Sequence, residues 1–221
     1  MSDLRAKVTA NLLLRFGGRI DRIIELGVGN GSILIEVAKI VGATQLYGVD
    51  INDKALEESR RKGIITIKAD LNIDMIPLPD NYFDAVLIEE VIERLTNPDH
   101  ALEEAYRVLK PGGLFIVTTP NLAWWVNRIV LLLGYQPYWS EVSTRYNVGK
   151  LFRSINQPLS GHLRLYTLKA LKELLELHKF KVITVKGVAY PHNKFLYLID
   201  KAISTLSPGF AEIIIVAAKK T

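Results

Sequence analysis

The sequence contains no cysteine. That absence excludes disulfides, thiolate metal sites and a cysteine nucleophile together, and it suits a reducing compartment. No apolar run comes near the ~18 residues that a bilayer-spanning helix needs. Arg5 to Phe16 alternates charges with short apolar pieces and does not read as a secretory leader. Low complexity is missing too, since nine prolines and fifteen glycines in 221 residues are ordinary numbers. These absences lead to the expectation of a cytoplasmic protein, with peripheral membrane contact left open.

Apolar residues make up 49% of the chain, enough for a full core in one domain spanning 1–221. The net charge is +5. Most of that excess falls between Pro120 and Arg164, where Arg128, Arg145, Lys150, Arg153 and Arg164 face the single acid Glu141. A local excess of this kind hints at an anionic partner.

Short apolar runs alternate with helical spacing along the first 119 residues. Strands are predicted at 22–26, 45–50, 64–69, 83–88 and 114–118, with two more at 181–188 and 212–218. The first helix carries Ile33, Val37, Ile40 and Val41. Asn52 or Asp53 can cap a helix to about Lys62, and Ala101, Leu102, Ala105, Val108 and Leu109 mark another. Lys110-Pro-Gly-Gly113 should stop that helix. Thr167 is a plausible cap for a helix with Leu168, Leu171, Leu174 and Leu175. Residues 189–211 can hold a short helix from Phe195 to Leu206, although an antiparallel return is the natural ending. The alternation predicts an α/β, doubly wound, seven-stranded and mostly parallel sheet, with helices on both faces and an antiparallel last strand.

Ligands of such sheets lie outside the carboxyl ends of the strands. Gly27, Gly29 and Gly31 follow the first strand there, and glycine lets a ligand approach the backbone. Asp50 ends the second strand, where a carboxylate can accept from ribose hydroxyls. Asp70 ends the third, placed to accept from an adenine amine. A nicotinamide or flavin domain also pairs a glycine turn with an acid about 20 residues on. The spacing here is Gly-x-Gly-x-Gly rather than Gly-x-Gly-x-x-Gly, however, and Glu25 precedes the loop. A carboxylate there repels a pyrophosphate and attracts a cation such as the amino group or sulfonium of S-adenosylmethionine.

Five segments carry a resemblance to a known family: Glu25-Leu-Gly-Val-Gly-Asn-Gly-Ser32, Gly48-Val-Asp-Ile51, Lys68-Ala-Asp-Leu71, Pro77-Leu-Pro-Asp-Asn-Tyr-Phe-Asp84 and Arg107-Val-Leu-Lys-Pro-Gly-Gly113. In order and spacing over residues 20–119 the chain resembles class I S-adenosylmethionine-dependent methyltransferases of the type-11 group, which includes quinone-biosynthesis enzymes. The resemblance implies a Rossmann-like fold and S-adenosylmethionine as cofactor. It implies that Glu25, Gly27, Val28 and Gly29 pass near the methionine part. Asp50 and Ile51 would serve the ribose, Asp70 and Leu71 the adenine, and Glu89, just past the fourth strand, the sulfonium. Asp84 also has a plain structural reading, satisfying loop amides at a strand start.

Methyl transfer is an in-line displacement from an activated donor, so the protein mainly positions the acceptor, with a base where the acceptor must lose a proton. Pyrimidine C5 methylation is set aside for want of cysteine. Adenine-amino methylation is set aside because Ile88-Glu-Glu-Val91 stands where that chemistry has Asn/Asp-Pro-Pro-Tyr. In some relatives Glu-x-x-Glu-His at this place binds a divalent metal. Glu90, Glu93 and a downstream His162 fit that pattern, but Arg94 replaces the histidine and a guanidinium cannot ligate a metal. Arg94 is expected instead to pair with Glu90 along a helix, and no metal is expected.

Residues 120–166 interrupt the alternation and carry all three tryptophans, so they are expected to form a substrate-side lid. Trp124, Tyr138, Trp139, Arg145, Arg164 and Tyr166 are its candidate acceptor contacts. Such a lid suits an acceptor with an apolar body and an anionic group, a small molecule or lipid-like precursor methylated on O or N. Trp124 and Ile129–Leu133 also read as part of a core helix, or as a membrane-surface segment. His162 is the candidate general base, with a plain backbone hydrogen bond as its alternative. His178 falls in the last turn of a helix, while His100 and His192 read as loop residues. Two other functions stay open: a cofactor-binding module that needs a partner for activity, and a methyltransferase acting on RNA or other nucleic acid, for which no dedicated motif is present.

Overall fold

Each strand is apolar along its whole length because both sheet faces are covered, and alternate residues serve different cores. Ile24, Leu26, Val86, Ile88, Phe115 and Val117 enter one core with Ala101, Leu102, Ala105, Leu171 and Leu175. Their neighbours Ile23, Ala85, Leu87, Leu114 and Ile116 enter the other, with Ala6, Ala10, Leu13, Leu34, Val37 and Leu56. Period-two alternation is thus present in the packing but invisible in the sequence, where both sets are apolar.

The computed structural model describes residues 4–152, 155–190 and 194–221, and of 194–196 the backbone alone. The elements run α1 (Leu4–Phe16), β1 (Arg22–Leu26), α2 (Ser32–Val41), β2 (Gln45–Asp50), α3 (Asp53–Arg61), β3 (Ile65–Lys68), β4 (Phe83–Glu89), α4 (Pro98–Val108), β5 (Leu109–Pro120), α5 (Trp125–Leu132), α6 (Leu168–Leu177), β6 (Phe180–Val188), α7 (Lys194–Leu206) and β7 (Ile213–Lys220), with short 3-10 turns at Ile92–Arg94 and Pro208–Phe210. The sheet order is β3-β2-β1-β4-β5-β7-β6. β7 runs antiparallel to both of its neighbours, and the pairs from β1 to β5 are parallel. The fold is therefore the expected doubly wound sheet, with α1, α2 and α3 on one face and α4 and α6 on the other.

The caps hold where side chains could be read. Asn52 accepts from the amides of Lys54 and Ala55 at the start of α3, and Thr167 accepts from Ala170 at the start of α6. Asp84 accepts from the amides of Asp21 and Arg22, at 3.0 and 2.9 Å, and pairs with Lys110. The loop 76–82 is tied down by Arg107, which donates to the carbonyls of Ile76 and Leu78 and pairs with Asp80 and Glu104. Two of the segments that carry the family resemblance meet in that contact.

Several expectations need correction. α1 is an addition to the expected elements, although Ala6, Thr9, Ala10 and Leu13 recur at helical spacing and are buried. α4 ends at Val108, just ahead of Lys110-Pro-Gly-Gly113, but Leu109, expected in the helix, belongs to the strand. β5 begins at Leu109, directly after α4, and the four residues form an irregularity within it between the Phe83 and Ala85 pairings. His100 lies in the first turn of α4, capped by Asn97, and its Nδ1 meets the Leu71 carbonyl at 3.0 Å. His178 caps the end of α6 and pairs with Asp99. The aliphatic run after Trp124 is no core helix. α5 buries Asn127 and Val130, while Ile129, Leu131, Leu132 and Leu133 are exposed. Arg153 and His192 lie outside the described residues.

Candidate active site

The carboxyl edge of the sheet is built from backbone first. After β1 the chain turns through Gly27 and Gly29, both at positive φ, before α2 starts. The amides of Gly27 and Val28 both donate to the Val49 carbonyl, which locks the turn to β2. A side chain on Gly27 would collide with Val91, whereas at Gly29 nothing lies within 4 Å. The loop is thus closed on its inner side and open above Gly29. Asp50 Oδ2 accepts from the Gly29 amide at 2.9 Å and Oδ1 from the Asn52 amide at 2.9 Å. Each oxygen keeps a second lone pair for a ligand hydroxyl. Ser59 on α3 donates to the Gly29 carbonyl.

Beyond β3, Asp70 stands two residues past the strand end rather than on it. Its Oδ1 accepts from the amide and side chain of Asn72. Leu71 is buried beside it, and Ile51 is exposed at the rim.

Two carboxylates dominate the centre of this edge. Glu25 on β1 is 2% exposed, and its Oε2 has no hydrogen-bond partner among the described residues. Glu89 is the last residue of β4, accepting from Thr9 of α1 at 2.8 Å and from Thr118 of β5 at 3.0 Å. Burial raises both carboxyls, Glu89 to about 7 and Glu25 well above its usual range, the latter pushed further by the neighbouring Glu89 charge. The structure therefore gathers negative groups in a dry place, which is unfavourable until a cation arrives.

The chain then turns sharply at Glu90, whose φ is +55°. The following residues form a 3-10 turn rather than an α-helix, so the expected pairing of Glu90 with Arg94 along a helix does not form. The Glu90 carboxylate pairs with Arg5 of α1 at 2.5 Å. Arg94 donates to the Glu90 and Ser160 carbonyls, lashing the lid segment to this turn. Glu93 is fully buried, accepts from Thr119 at 3.0 Å, and is raised by burial to about 7. His162 Nε2 lies 3.8 Å from Glu93 Oε1, and its ring is 5.9 Å from that of Trp139. Burial, then the Arg94 charge, lowers the His162 pKa. Among the described residues no group of three His, Asp or Glu side chains is arranged to hold a metal.

Next to this edge lies a cavity of about 560 Å³. Trp124, Trp125, Tyr138 and Trp139 line it from the lid side, and Tyr190, Tyr197, Asp200 and Glu212 from the C-terminal part. Arg5 sits over the Tyr190 ring at 5.9 Å, and the Trp139 ring is 5.9 Å from that of His162, so the cavity wall abuts the carboxylate edge. A larger depression of about 840 Å³ between α5 and α6 includes none of the carboxylates of that edge. Of the acceptor contacts expected from sequence, Trp124, Tyr138 and Trp139 reach the cavity. Arg145 and Arg164 are exposed and do not line it. Arg164 instead donates to the Leu95 and Thr96 carbonyls. Tyr166 is packed in the core beside Ile92 and Leu95, and burial pushes its hydroxyl up to about 12. Sequence reasoning missed Arg5 and Thr9 because α1 went unseen. It missed Asp200 too, although Tyr197, Asp200 and Ser204 recur on one helical face.

Residues 24–117 match the family model of a methyltransferase domain. This stretch, less than half of the chain, is similar to class I methyltransferase domains. S-adenosylmethionine is the cofactor of this class. Over 172 residues the protein is 29% identical to a ubiquinone/menaquinone biosynthesis C-methyltransferase of Cupriavidus taiwanensis, covering 75% of this chain and 64% of the relative. A protein of the same description from Burkholderia cenocepacia is 34% identical over 108 residues, covering 47% of this chain and 44% of its own length. The chain thus spans between about half and two thirds of these relatives. Among solved structures, one from Thermotoga maritima, described as a SAM-dependent methyltransferase and possible histamine N-methyltransferase, superposes with a TM-score of 0.62 at 20% identity, over 99% of this chain and 92% of the other. That likeness concerns the fold and spans the methyltransferase domain together with the segments after it. Among the described residues no helix is long and apolar enough to cross a membrane.

Proposed function

We propose that this protein transfers the methyl group of S-adenosylmethionine to a small acceptor held beneath residues 120–166, which act as the substrate-side lid of the domain. The observation that carries the reading is the pair of buried carboxylates, Glu25 with an unpartnered oxygen and Glu89, beside a glycine loop that is open above Gly29. A sulfonium or an amino group satisfies such a pair, whereas a pyrophosphate does not. Glu25, Gly27, Val28 and Gly29 would hold the methionine part, Asp50 and Ile51 the ribose, Asp70 and Leu71 the adenine, and Glu89 the sulfonium side. When bound, the cofactor supplies an electrophilic methyl group, and the chain's own task is to orient the acceptor and exclude water.

The charges around the pair set a pH dependence. Arg5 of α1, Glu90 just past β4 and Asp50 of β2 face it; the Glu89 carboxyl, raised to about 7, is partly protonated near neutrality, and Glu25 is raised as well. A cation favours the ionised pair, so binding releases protons and tightens as pH rises. Isothermal titration should find S-adenosylmethionine binding weakened about tenfold on going from pH 8 to pH 6. S-adenosylhomocysteine, without the sulfonium charge, should show a shallower slope. Equal slopes for both ligands would mean that the two carboxylates do not face the sulfonium.

His162, neutral near pH 7 because burial lowers its pKa, stands between Glu93 and the cavity wall at Trp139. It is suited to take a proton from an acceptor on O or N. His162→Ala is expected to leave S-adenosylhomocysteine affinity within about twofold and to lower turnover on the acceptor by about a hundredfold. Turnover equal to wild type across the pH profile would show that the ring is only structural.

A further inference from the structure

The lid carries most of the chain's excess positive charge, and its described cations Arg128, Lys150 and Arg164 are engaged by backbone carbonyls rather than lining the cavity. Arg128 donates to the Ala123 carbonyl and stacks over Phe210 at 4.2 Å. Lys150 bonds the carbonyls of Pro137 and Ser140. Arg164 is occupied by the Leu95 and Thr96 carbonyls. Among the described residues that line the cavity there is no lysine or arginine, but there are two carboxylates. Asp200 is 3% exposed and Glu212 is fully buried. Asp200 Oδ1 accepts from both indole N–H groups, Trp124 at 3.0 Å and Trp125 at 2.9 Å. Glu212 Oε2 accepts from the Tyr190 amide at 3.3 Å.

The walls are three tryptophans and three tyrosines. Aromatic faces attract cations, and they do so most strongly where water is excluded. Buried carboxylates in such a box are unfavourable alone and favourable opposite a positive group. An anionic acceptor, which the composition of the lid suggested, would meet Asp200 and Glu212 with no basic side chain among the described lining. We propose that this cavity binds an acceptor carrying a protonated amine on an apolar or aromatic body, held by the aromatic walls and by Asp200. The proposal names the acceptor class for the methyl transfer proposed above and rests on that reading.

All three tryptophans of the chain line this one cavity, so its intrinsic tryptophan fluorescence reports on the cavity alone. The full chain is titrated at pH 7 with three molecules of similar shape: phenethylamine, a cation; phenethyl alcohol, neutral; and hydrocinnamate, an anion. Phenethylamine should bind at least roughly tenfold more tightly than the other two. Asp200→Asn, which keeps an oxygen for the two indoles, should cut that preference to under about threefold while leaving the alcohol unchanged. Alcohol or hydrocinnamate binding as tightly as the amine, or no fluorescence response to any of the three, overturns the proposal. The comparison among probes uses the unaltered protein, so it decides even if the variant fails to fold. A parallel calorimetric titration with S-adenosylhomocysteine separates the two readings. S-adenosylhomocysteine binding without amine preference defeats only the acceptor class, and amine preference without S-adenosylhomocysteine binding defeats only the methyl-donor site.

Discussion

Glu89→Gln should make the protein more stable at pH 8 and worse at its task. Burial holds the Glu89 carboxyl at about 7 in the fold, against an ordinary 4.5. A carboxyl that is harder to ionise when folded lends its full stability below about pH 4.5 and loses it as pH rises through 7. Glutamine cannot ionise and loses nothing. The variant should therefore match wild type near pH 4.5 and exceed it by about 3 kcal/mol at pH 8, seen as a rise of several degrees in thermal midpoint. The same change removes half of the paired charge, so S-adenosylmethionine affinity at pH 8 should fall by between about tenfold and a hundredfold. Chemical denaturation at the two pH values and calorimetry check the two halves. A variant equally stable at both, or one that keeps full affinity, contradicts the account of this site.

The glycine loop yields the second large effect, through a contrast between neighbours. Gly27→Ala places a carbon 2.3 Å from Val91 Cγ2 at a φ of +83°, so the fold itself should lose about 3 kcal/mol or more. Gly29→Ala meets no protein atom within 4 Å, and its φ of +53° costs only about 1–2 kcal/mol. That variant should fold, yet its new methyl stands where a ligand would lie against the backbone. S-adenosylhomocysteine affinity should drop about thirtyfold, on the order of 2 kcal/mol of overpacking. Full affinity in a folded Gly29→Ala protein would place the cofactor elsewhere.

The sheet was legible because parallel strands covered on both faces are apolar throughout, and because Asn52 and Thr167 announce helices by their own side-chain chemistry. The glycine turn after β1 and the acids at the strand ends were legible for a related reason: glycine and acid at strand ends are local features. What failed was non-local. Nothing near Arg5 or Thr9 says that α1 crosses to Glu89 and Glu90, 80 and 85 residues away in the chain. The lid's cations looked like a binding surface, but a guanidinium near irregular backbone satisfies carbonyls first, as Arg128 and Arg164 do. The aromatic cavity draws its acids from α7 and from the residue just before β7, far in the chain from the tryptophans that advertised it.

Strand β7 comes last in chain order but lies inside the sheet, between β5 and β6. β6 pairs only with β7 among the described strands. During synthesis β1 to β5 can form their parallel ladder as each emerges, while β6 and the open edge of β5 must wait for the final strand. Glu25 and Glu89 stand on early strands. Asp200 and Glu212 belong to the part that closes with β7. On the nascent chain the edge that carries Glu25 and Glu89 is therefore assembled first, and the aromatic cavity gains Asp200 and Glu212 only when the last strand inserts.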